Sequence, residues 1–420
     1  WNGYPIVNLC RDFINSSGVR QQADVTVNPI QENFMEPLPV KGDTLAEQVY
    51  ERLGDLNVAS QKGMIEMFDS TIGASTVLMP FGGKHQLTET QASVQKIPVR
   101  NGVTSTCSIM SYGYNPFISE RSPFHGAQLA ILESMAKIVA VGGDYSNIRF
   151  TFQEYFEKLG NTPEKWGKPF AALLGAIRIQ NQFHLPSIGG KDSMSGTFHD
   201  LNVPPTLVSF AITTGNAAHI ISPQFKDISN KIYIIGGKVV QNGVVNVEQA
   251  KSVFSFVHEQ VIQKRIVSAF AVQMGGIVEA LAKMSFGNDL GFNITTEEDL
   301  FGYRYGSFVV ESTETLDFPD AVLLGTVDHQ WRINQQPIDK KKALQAWRKT
   351  FASIYPETVP AMDHDKVLVK QEYHKPITYQ PYPSKTEKVK VLIPVFPGTN
   401  CDYDTARAFE QAGAETKLLI

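Results

Sequence analysis

Apolar residues recur every three to four positions in five stretches of the chain, the spacing of one helix face. They cover 44–54 (Leu45, Val49, Leu53), 125–141 (Ala127, Ala130, Ile131, Met135, Ile138, Val139), 168–183, 247–263 and 277–286 (Ile277, Leu281, Met284). Asp43 or Thr44 supplies an oxygen to cap the first of these. A short helix is predicted over 60–68 and a basic one over 339–351. Between them, β-branched and aromatic runs bounded by turn residues predict strands at 75–79, 103–114, 206–214, 231–235, 266–272, 291–294, 307–310 and 321–327. Residues 207–212 read Leu-Val-Ser-Phe-Ala-Ile, the continuous apolar character of a strand covered on both faces. Helices and strands interleave throughout, so the class is mixed α/β and α+β.

The pattern also divides the chain. Residues 1–42 lack periodicity and contain Asn15-Ser16-Ser17-Gly18 and a Pro-containing stretch over 28–39, as the tail of a preceding domain and a linker would. A first domain is expected over 43–220 and a second over 221–352, separated by the polar break at 220–230. A linker rich in Pro, Tyr, Lys and His follows over 353–387. Residues 388–420 begin something new. A strand through Val391, Leu392 and Ile393, the turn Pro397-Gly398-Thr399-Asn400, a helix over 402–412 closed by Gly413, and a strand from 416 form the first βαβ unit of a parallel sheet. Because the sequence starts at Trp1 without Met and ends on the apolar run Leu418-Leu419-Ile420, it is expected to be a fragment of a longer protein.

Composition narrows the class. A chain of 420 residues has room for two or three cores, and 42% hydrophobic with 19% charged residues is a globular composition. A net charge of −4 argues against partners held by electrostatics, such as nucleic acid or a membrane surface. No apolar run approaches the length of a bilayer span. Cys10, Cys107 and Cys401 lie far apart with neither CxxC nor zinc spacing, which reads as reduced thiols in the cytoplasm.

Candidate chemistry concentrates in Pro186-Ser187-Ile188-Gly189-Gly190-Lys191-Asp192-Ser193-Met194-Ser195-Gly196. Glycine-rich backbone can approach a ligand closely and present N–H groups to an anion. Lys191 adds a positive charge, Asp192 a carboxylate, Ser193 and Ser195 hydroxyls. A Walker A loop is excluded, because Lys191 is followed by Asp and position 185 is Leu. Residue types alone leave two readings open, a loop for a phosphorylated ligand and a tight turn between helix and strand. Glu133 and Lys137 are four apart, the spacing of a surface ion pair. His364, between Asp363 and Asp365, reads as a solvated linker residue.

Two separated motifs carry a family resemblance. The Gly-Lys-Asp-Ser-Met-Ser core resembles the signature of the second synthetase half of large, single-chain phosphoribosylformylglycinamidine synthase. Phe396-Pro397-Gly398-Thr399-Asn400-Cys401-Asp402-Tyr403-Asp404 is similar to the opening of that enzyme's class I glutamine amidotransferase domain. Asp69-Ser70-Thr71-Ile72-Gly73, Ile118-Ser119-Glu120-Arg121-Ser122-Pro123 and Leu300-Phe301 ahead of Gly306-Ser307-Phe308 are family-like and in order. The resemblance implies an aminoimidazole ribonucleotide synthetase-like half followed by a flavodoxin-like start. It further implies a ligase of purine biosynthesis that uses ATP, Mg²⁺ and glutamine. ATP phosphorylates the amide oxygen of formylglycinamide ribonucleotide, and ammonia from the glutaminase displaces phosphate. Carried over residue by residue, it implies catalytic roles for Lys191, Asp192 and Ser193. Substrate contacts fall to Gly189, Gly190, Ser195 and Arg121, and a nucleotide and metal contact to Glu133. The first synthetase half and the glutaminase become partners within the same chain.

Three departures weigh on that transfer. An acidic turn belonging to the family reads Ala271-Val272-Gln273-Met274-Gly275-Gly276 here, without a carboxylate, and Mg²⁺ needs hard oxygen ligands. Lys137 stands where the family tends to have Asn, and Arg100 or Asn101 where it has Asp. The nucleotide–Mg²⁺ site of this half is therefore expected to have decayed, with catalytic ATP held by the first half. Two alternatives remain: a catalytically silent structural half, or another ATP-using enzyme of the same superfamily acting on an aminoimidazole precursor, thiamine phosphate or selenide. Cys401 lies in the first βα turn, away from the place of the family's nucleophile.

Overall fold

The computed structural model describes residues 2–16, 22–99, 102–358 and 389–420. Arg100, Asn101 and His364, and most of the expected linker, lie outside the described residues. The chain forms two compact units, Trp1–Val359 and Pro360–Ile420.

In the first unit, helix α1 (Leu45–Leu53) starts at Thr44, whose side chain caps Glu47 N while the Glu47 carboxylate accepts from Thr44 N. Next come β1 (Ser93–Lys96), β2 (Thr106–Gly113), α2 (Pro116–Arg121) and α3 (Pro123–Ala140). They are followed by β3 (Arg149–Tyr155), α4 (Pro163–Phe183), β4 (Ser187–Lys191) and β5 (Thr206–Asn216). The five strands form one sheet in the order β1-β2-β5-β3-β4, antiparallel except for the parallel pair β3/β4. β6 (Lys231–Ile235), α5 (Val247–Ile262), β7 (Ile266–Ala271), α6 (Gly276–Phe286) and β8 (Gly291–Ile294) lead into the second sheet. It is completed by β9 (Phe308–Ser312), β10 (Ala321–Asp328), β11 (Trp331–Ile333) and β12 (Gln336–Ile338), with α7 (Lys340–Lys349) after it. Its order is β7-β9-β6-β10-β8-β11-β12.

Strand alternation splits the core in two. Tyr233 and Ile235 of β6 face one cluster, which includes α3, α5 and the inner face of the first sheet. Ile232 and Ile234 face the other, built with α1, α6, α7 and the indoles of Trp331 and Trp347. Both faces of β6 are thus apolar. Helix α3 is buried on nearly every side from Gly126 to Ala140, which is why its apolar stripe is so wide. Helix α1, early in the sequence, packs with α7 near the end of the unit, and Trp347 Nε1 donates to Val58 O at 3.1 Å.

Several expectations change. Residues 75–79 form no strand but one bridge, Thr76 to Gln95, because Thr76 Oγ1 binds Ser70 O and Gln95 Oε1 instead of continuing a ladder. The charged loop expected at 119–123 is mostly helix α2. Asn115 caps it by accepting from Phe117 N and Ile118 N, and Ser122-Pro123 then opens α3. Strand β5 is not covered on both faces: Leu207, Ser209 and Ala211 are buried, whereas Ile212 is exposed. Strands β1, β3, β11 and β12 have no counterpart in the sequence reading.

In the second unit, β13 (Lys390–Pro394) pairs in parallel with β14 (Glu415–Leu419) across α8 (Asp402–Gln411), a single βαβ unit.

Trp347 is fully buried and stacks on Phe286 with ring centroids 5.1 Å apart. Trp347→Ala should cost about 3–5 kcal/mol, measured as the drop in thermal and urea midpoints. A loss below about 1 kcal/mol would show that α7 is not part of this core.

Candidate functional site

The glycine-rich motif is an edge strand, not an anion-cradling loop. Gly189 and Gly190 lie in β4, extended and with φ outside the left-handed region, so their amides do not converge as in a nest. Thr151 pairs with Gly189, Phe152 with Gly190 and Gln153 with Lys191. A Cβ on Gly190 would come within 2.7 Å of Phe152 O, so the motif needs glycine for close strand contact. Of the two readings left by the sequence, a ligand loop and a tight turn, neither describes the backbone here, which is an edge strand.

Beyond the strand, residues 192–196 stay fixed to the end of β3. Ser193 N donates to Glu154 O (3.1 Å), Phe156 N to Ser193 O (2.9 Å) and Gly196 N to Phe156 O (2.9 Å). Ser193 Oγ and Ser195 Oγ are hydrogen-bonded at 2.9 Å. Lys191, Asp192 and Ser195 are exposed, and Ser193 is half-buried. The motif therefore presents one ammonium, one carboxylate and a hydroxyl pair to solvent from a fixed backbone. That set can bind a phosphate ester but contains no activated nucleophile.

One residue of this region escaped the sequence reading. Glu154 lies on the inner face of β3 in line with Phe150 and Phe152, and is only 8% exposed. Burial, and then the like charge of Asp192, push its carboxyl up to about 7. The available signal was the position of a carboxylate at period two from two buried phenylalanines, in a strand the reading passed over.

Glu133 sits elsewhere, in the middle of α3, and its surroundings correct the surface ion pair. Glu133 and Lys137 are both buried, with Lys137 Nζ 2.8 Å from Glu133 Oε1. Lys137 Nζ also donates to Tyr112 O (2.8 Å) and lies over the Tyr112 ring at 4.4 Å. Tyr114 N donates to Glu133 Oε2 (3.1 Å) and Gln273 Nε2 to Glu133 Oε1 (3.3 Å). Both carboxylate oxygens are thus engaged, one of them by an ammonium. This geometry does not fit Mg²⁺, which needs free hard oxygens and is repelled by an ammonium bonded to the same carboxylate. Among the described residues no cluster of three or more His, Cys, Asp or Glu side chains could hold a metal ion.

The turn at Gly275-Gly276 does meet a carboxylate, one helical turn later. Glu279 Oε2 accepts from Gly275 N at 2.8 Å, and Glu279 Oε1 lies 2.7 Å from Lys283 Nζ. Lys283 also reaches Glu89 at 2.6 Å. Burial opposes the Lys283 charge, but Glu279 and Glu89 outweigh it and hold its pKa above the ordinary lysine range. Gly276 has φ +79°, and a Cβ there would meet the backbone Leu300 O at 2.5 Å, which accounts for the glycine.

Arg121 is brought to neither cluster by a direct bond. At the C-terminal end of α2 its Nη1 donates to Glu36 O at 2.6 Å, so it holds the segment that precedes α1. It lines a small cleft with Pro29, Glu120 and Lys168. Tyr114 connects the two clusters: its amide binds Glu133, and its hydroxyl binds Thr206 Oγ1 (2.9 Å), beside the end of β3.

No family model matches the chain. It is 24% identical over 315 residues to the phosphoribosylformylglycinamidine synthase subunit PurL of Picrophilus torridus, covering 70% of this chain and 40% of that protein. The PurL subunit of Thermococcus sibiricus is 22% identical over 351 residues, covering 75% and 45%. The chain thus spans less than half the length of these relatives. Among solved structures, PurLQS from Thermotoga maritima superposes with a TM-score of 0.51 at 16% identity, over 73% of this chain and 45% of that one. The mixed α/β fold is that of PurL.

Lys137→Met strands the buried Glu133 carboxylate and should cost about 3–5 kcal/mol, seen as a fall in thermal midpoint. Glu133→Gln combined with Lys137→Met should recover most of it. A double variant no better than the single one would show that the pair is not the coupled unit described.

Proposed function

We propose that this chain is the second synthetase half, with the opening of the glutaminase domain, of an ATP- and glutamine-dependent ligase. That ligase converts formylglycinamide ribonucleotide to the corresponding amidine in purine biosynthesis. The observation that carries the reading is the Gly-Gly-Lys-Asp-Ser-Met-Ser segment, held rigid at the end of a PurL-like sheet and followed later in the chain by a separate parallel βαβ unit. The rigid backbone supports a positioning role, and the exposed Lys191 would offset the charge of a phosphorylated substrate.

In this reading Lys191, Asp192 and Ser193 serve the reaction, Gly189, Gly190 and Ser195 form the substrate-side wall, and Arg121 holds the segment that precedes α1. Glu133 has lost its metal role, so catalytic ATP and Mg²⁺ belong to the partner half. A partner has a surface to meet: Met110, Tyr112 and Ile212 are exposed together on the outer face of the first sheet, where Met110 pairs with Ile212 and Tyr112 with Phe210. A cytoplasmic location follows from the pathway. Among the described residues no helix is long and apolar enough to cross a membrane.

A silent structural half is the second reading, and the closed Glu133–Lys137 pair favours it for the nucleotide site. Lys191→Ala in the complete ligase separates the two. A substrate-wall role predicts at least a tenfold fall in kcat/KM for the ribonucleotide, about 1.4 kcal/mol, while a structural half predicts an unchanged rate and a normal thermal midpoint. The 420-residue chain alone should hydrolyse no glutamine, because Cys401 stands in the first βα turn, not at the place of the family's nucleophile, and no His follows it in these residues. Ammonia release above a Cys401→Ala control would contradict the assignment.

A further inference from the structure

Two arginines hold the segment that leads into α1, and neither has the partner a guanidinium ordinarily takes. Arg52, near the end of α1, is 2% exposed, yet Asp55 Oδ2 comes no closer to it than 3.9 Å. Its Nη2 donates to Leu38 O at 2.7 Å, and its Nε is buried without an acceptor. Arg121, half-buried at the end of α2, donates to Glu36 O at 2.6 Å. Among the described residues neither Glu36 nor Glu120, both exposed, forms an ion pair with either arginine. A cation taken out of water is ordinarily set against a carboxylate or phosphate, which the planar guanidinium meets through two N–H groups at once. Here both guanidinium groups are set against neutral backbone carbonyls.

The segment they hold is otherwise lightly attached. Among the described residues, those two bonds are the hydrogen bonds that tie residues 33–40 to the rest of the protein. The segment's one backbone bond, Glu36 N to Asn33 O at 2.8 Å, closes a turn within it. Its packing rests on Phe34 and Met35. Phe34 stacks on His125 with ring centroids 4.2 Å apart, and a Cβ on Gly243 would fall 2.1 Å from Phe34 Cζ. The two carbonyls are two residues apart, at most about 7 Å, so the nitrogens that hold them lie within about 12 Å of each other. Both guanidinium groups also act on the Tyr303 hydroxyl, so they converge on one place.

We propose that Arg52 and Arg121 form a binding site for a phosphate-bearing anion, filled in this structure by the carbonyls of Glu36 and Leu38, and that residues 33–40 lift when the anion takes their place. A diphosphate group carries oxygens at both ends, a span that two long side chains at this separation reach. Each charge-assisted bond to it is stronger than the bond to a carbonyl that it replaces. Because the segment must leave first, the apparent affinity is lowered by the fraction of molecules in which the arginines are free. The site does not depend on which reaction the chain serves.

The test uses the 420-residue chain and inorganic diphosphate, against chloride at equal ionic strength. Backbone hydrogen exchange over residues 33–40 of the wild type should rise to a plateau as diphosphate is added, because the segment is released. Exchange that is unchanged or slowed overturns the proposal. Phe34→Ala and, independently, Gly243→Ala free the segment without touching either arginine. By titration calorimetry each should bind diphosphate at least about threefold more tightly than wild type. Arg121→Gln should bind at least about tenfold more weakly. Wild-type affinity in Arg121→Gln, or no tightening in either freed variant, overturns the site. Glycerol 3-phosphate titrated in parallel distinguishes an esterified phosphate from the free anion; binding of either supports the site, and binding of neither overturns it.

Discussion

Helix α3 is the element on which the arrangement depends, because it is enclosed between the first sheet and the β7 and α5 side of the second. Such a helix must be apolar nearly all round, and any charge it carries must be paired within reach. Glu133 and Lys137 satisfy that condition through each other, through the Tyr112 carbonyl and through the Tyr114 amide. An ion pair closed in this way secures the end of β2 against α3. The same closure consumes the oxygens a metal ion would need. The pairing that keeps the two buried charges compatible with the core also leaves Glu133 no free oxygen.

A similar trade is visible at the turn into α6. Lys283 is shared between Glu279 and Glu89 in the interior, and Gly275 N is bound to a carboxylate of the protein itself. Lys137 and Lys283 thus sit against Glu133 and Glu279 in the interior. By contrast, the motif at the sheet edge keeps its charges open to solvent: Lys191 and Asp192 are exposed on a backbone fixed to β3. The buried ion pairs are therefore closed to solvent, while the motif's charges are open to it.

Most helices were legible in the sequence, because the apolar spacing of α1, α5 and α6 is strong and their caps lie where Ser, Thr, Asn or Gly stands. The short strands β1, β11 and β12 were not, since three or four residues carry too little alternation to rise above turns. Strand β3 was missed although its alternation is clear in Phe150, Phe152 and Glu154, because a carboxylate occupies the third inward position. The motif's glycines left ligand approach and a tight turn open, and Gly190 answers instead to the carbonyl of Phe152 on the next strand. The burial of Glu133 and Lys137 could not be read from their spacing, which is the same for a surface pair. What separates the two cases is the width of the apolar stripe around them, a property of the whole helix.

The central proposal is that this chain, as a second synthetase half, holds substrate but no metal-bound nucleotide. Soaking crystals of the complete ligase with Mn²⁺ and a non-hydrolysable ATP analogue tests it directly, since Mn²⁺ occupies Mg²⁺ sites and is located by its anomalous scattering. The account predicts peaks in the first synthetase half alone, with Glu133 still on Lys137. A Mn²⁺ peak within about 2.5 Å of a Glu133 oxygen, with nucleotide against Gly275-Gly276, would contradict it.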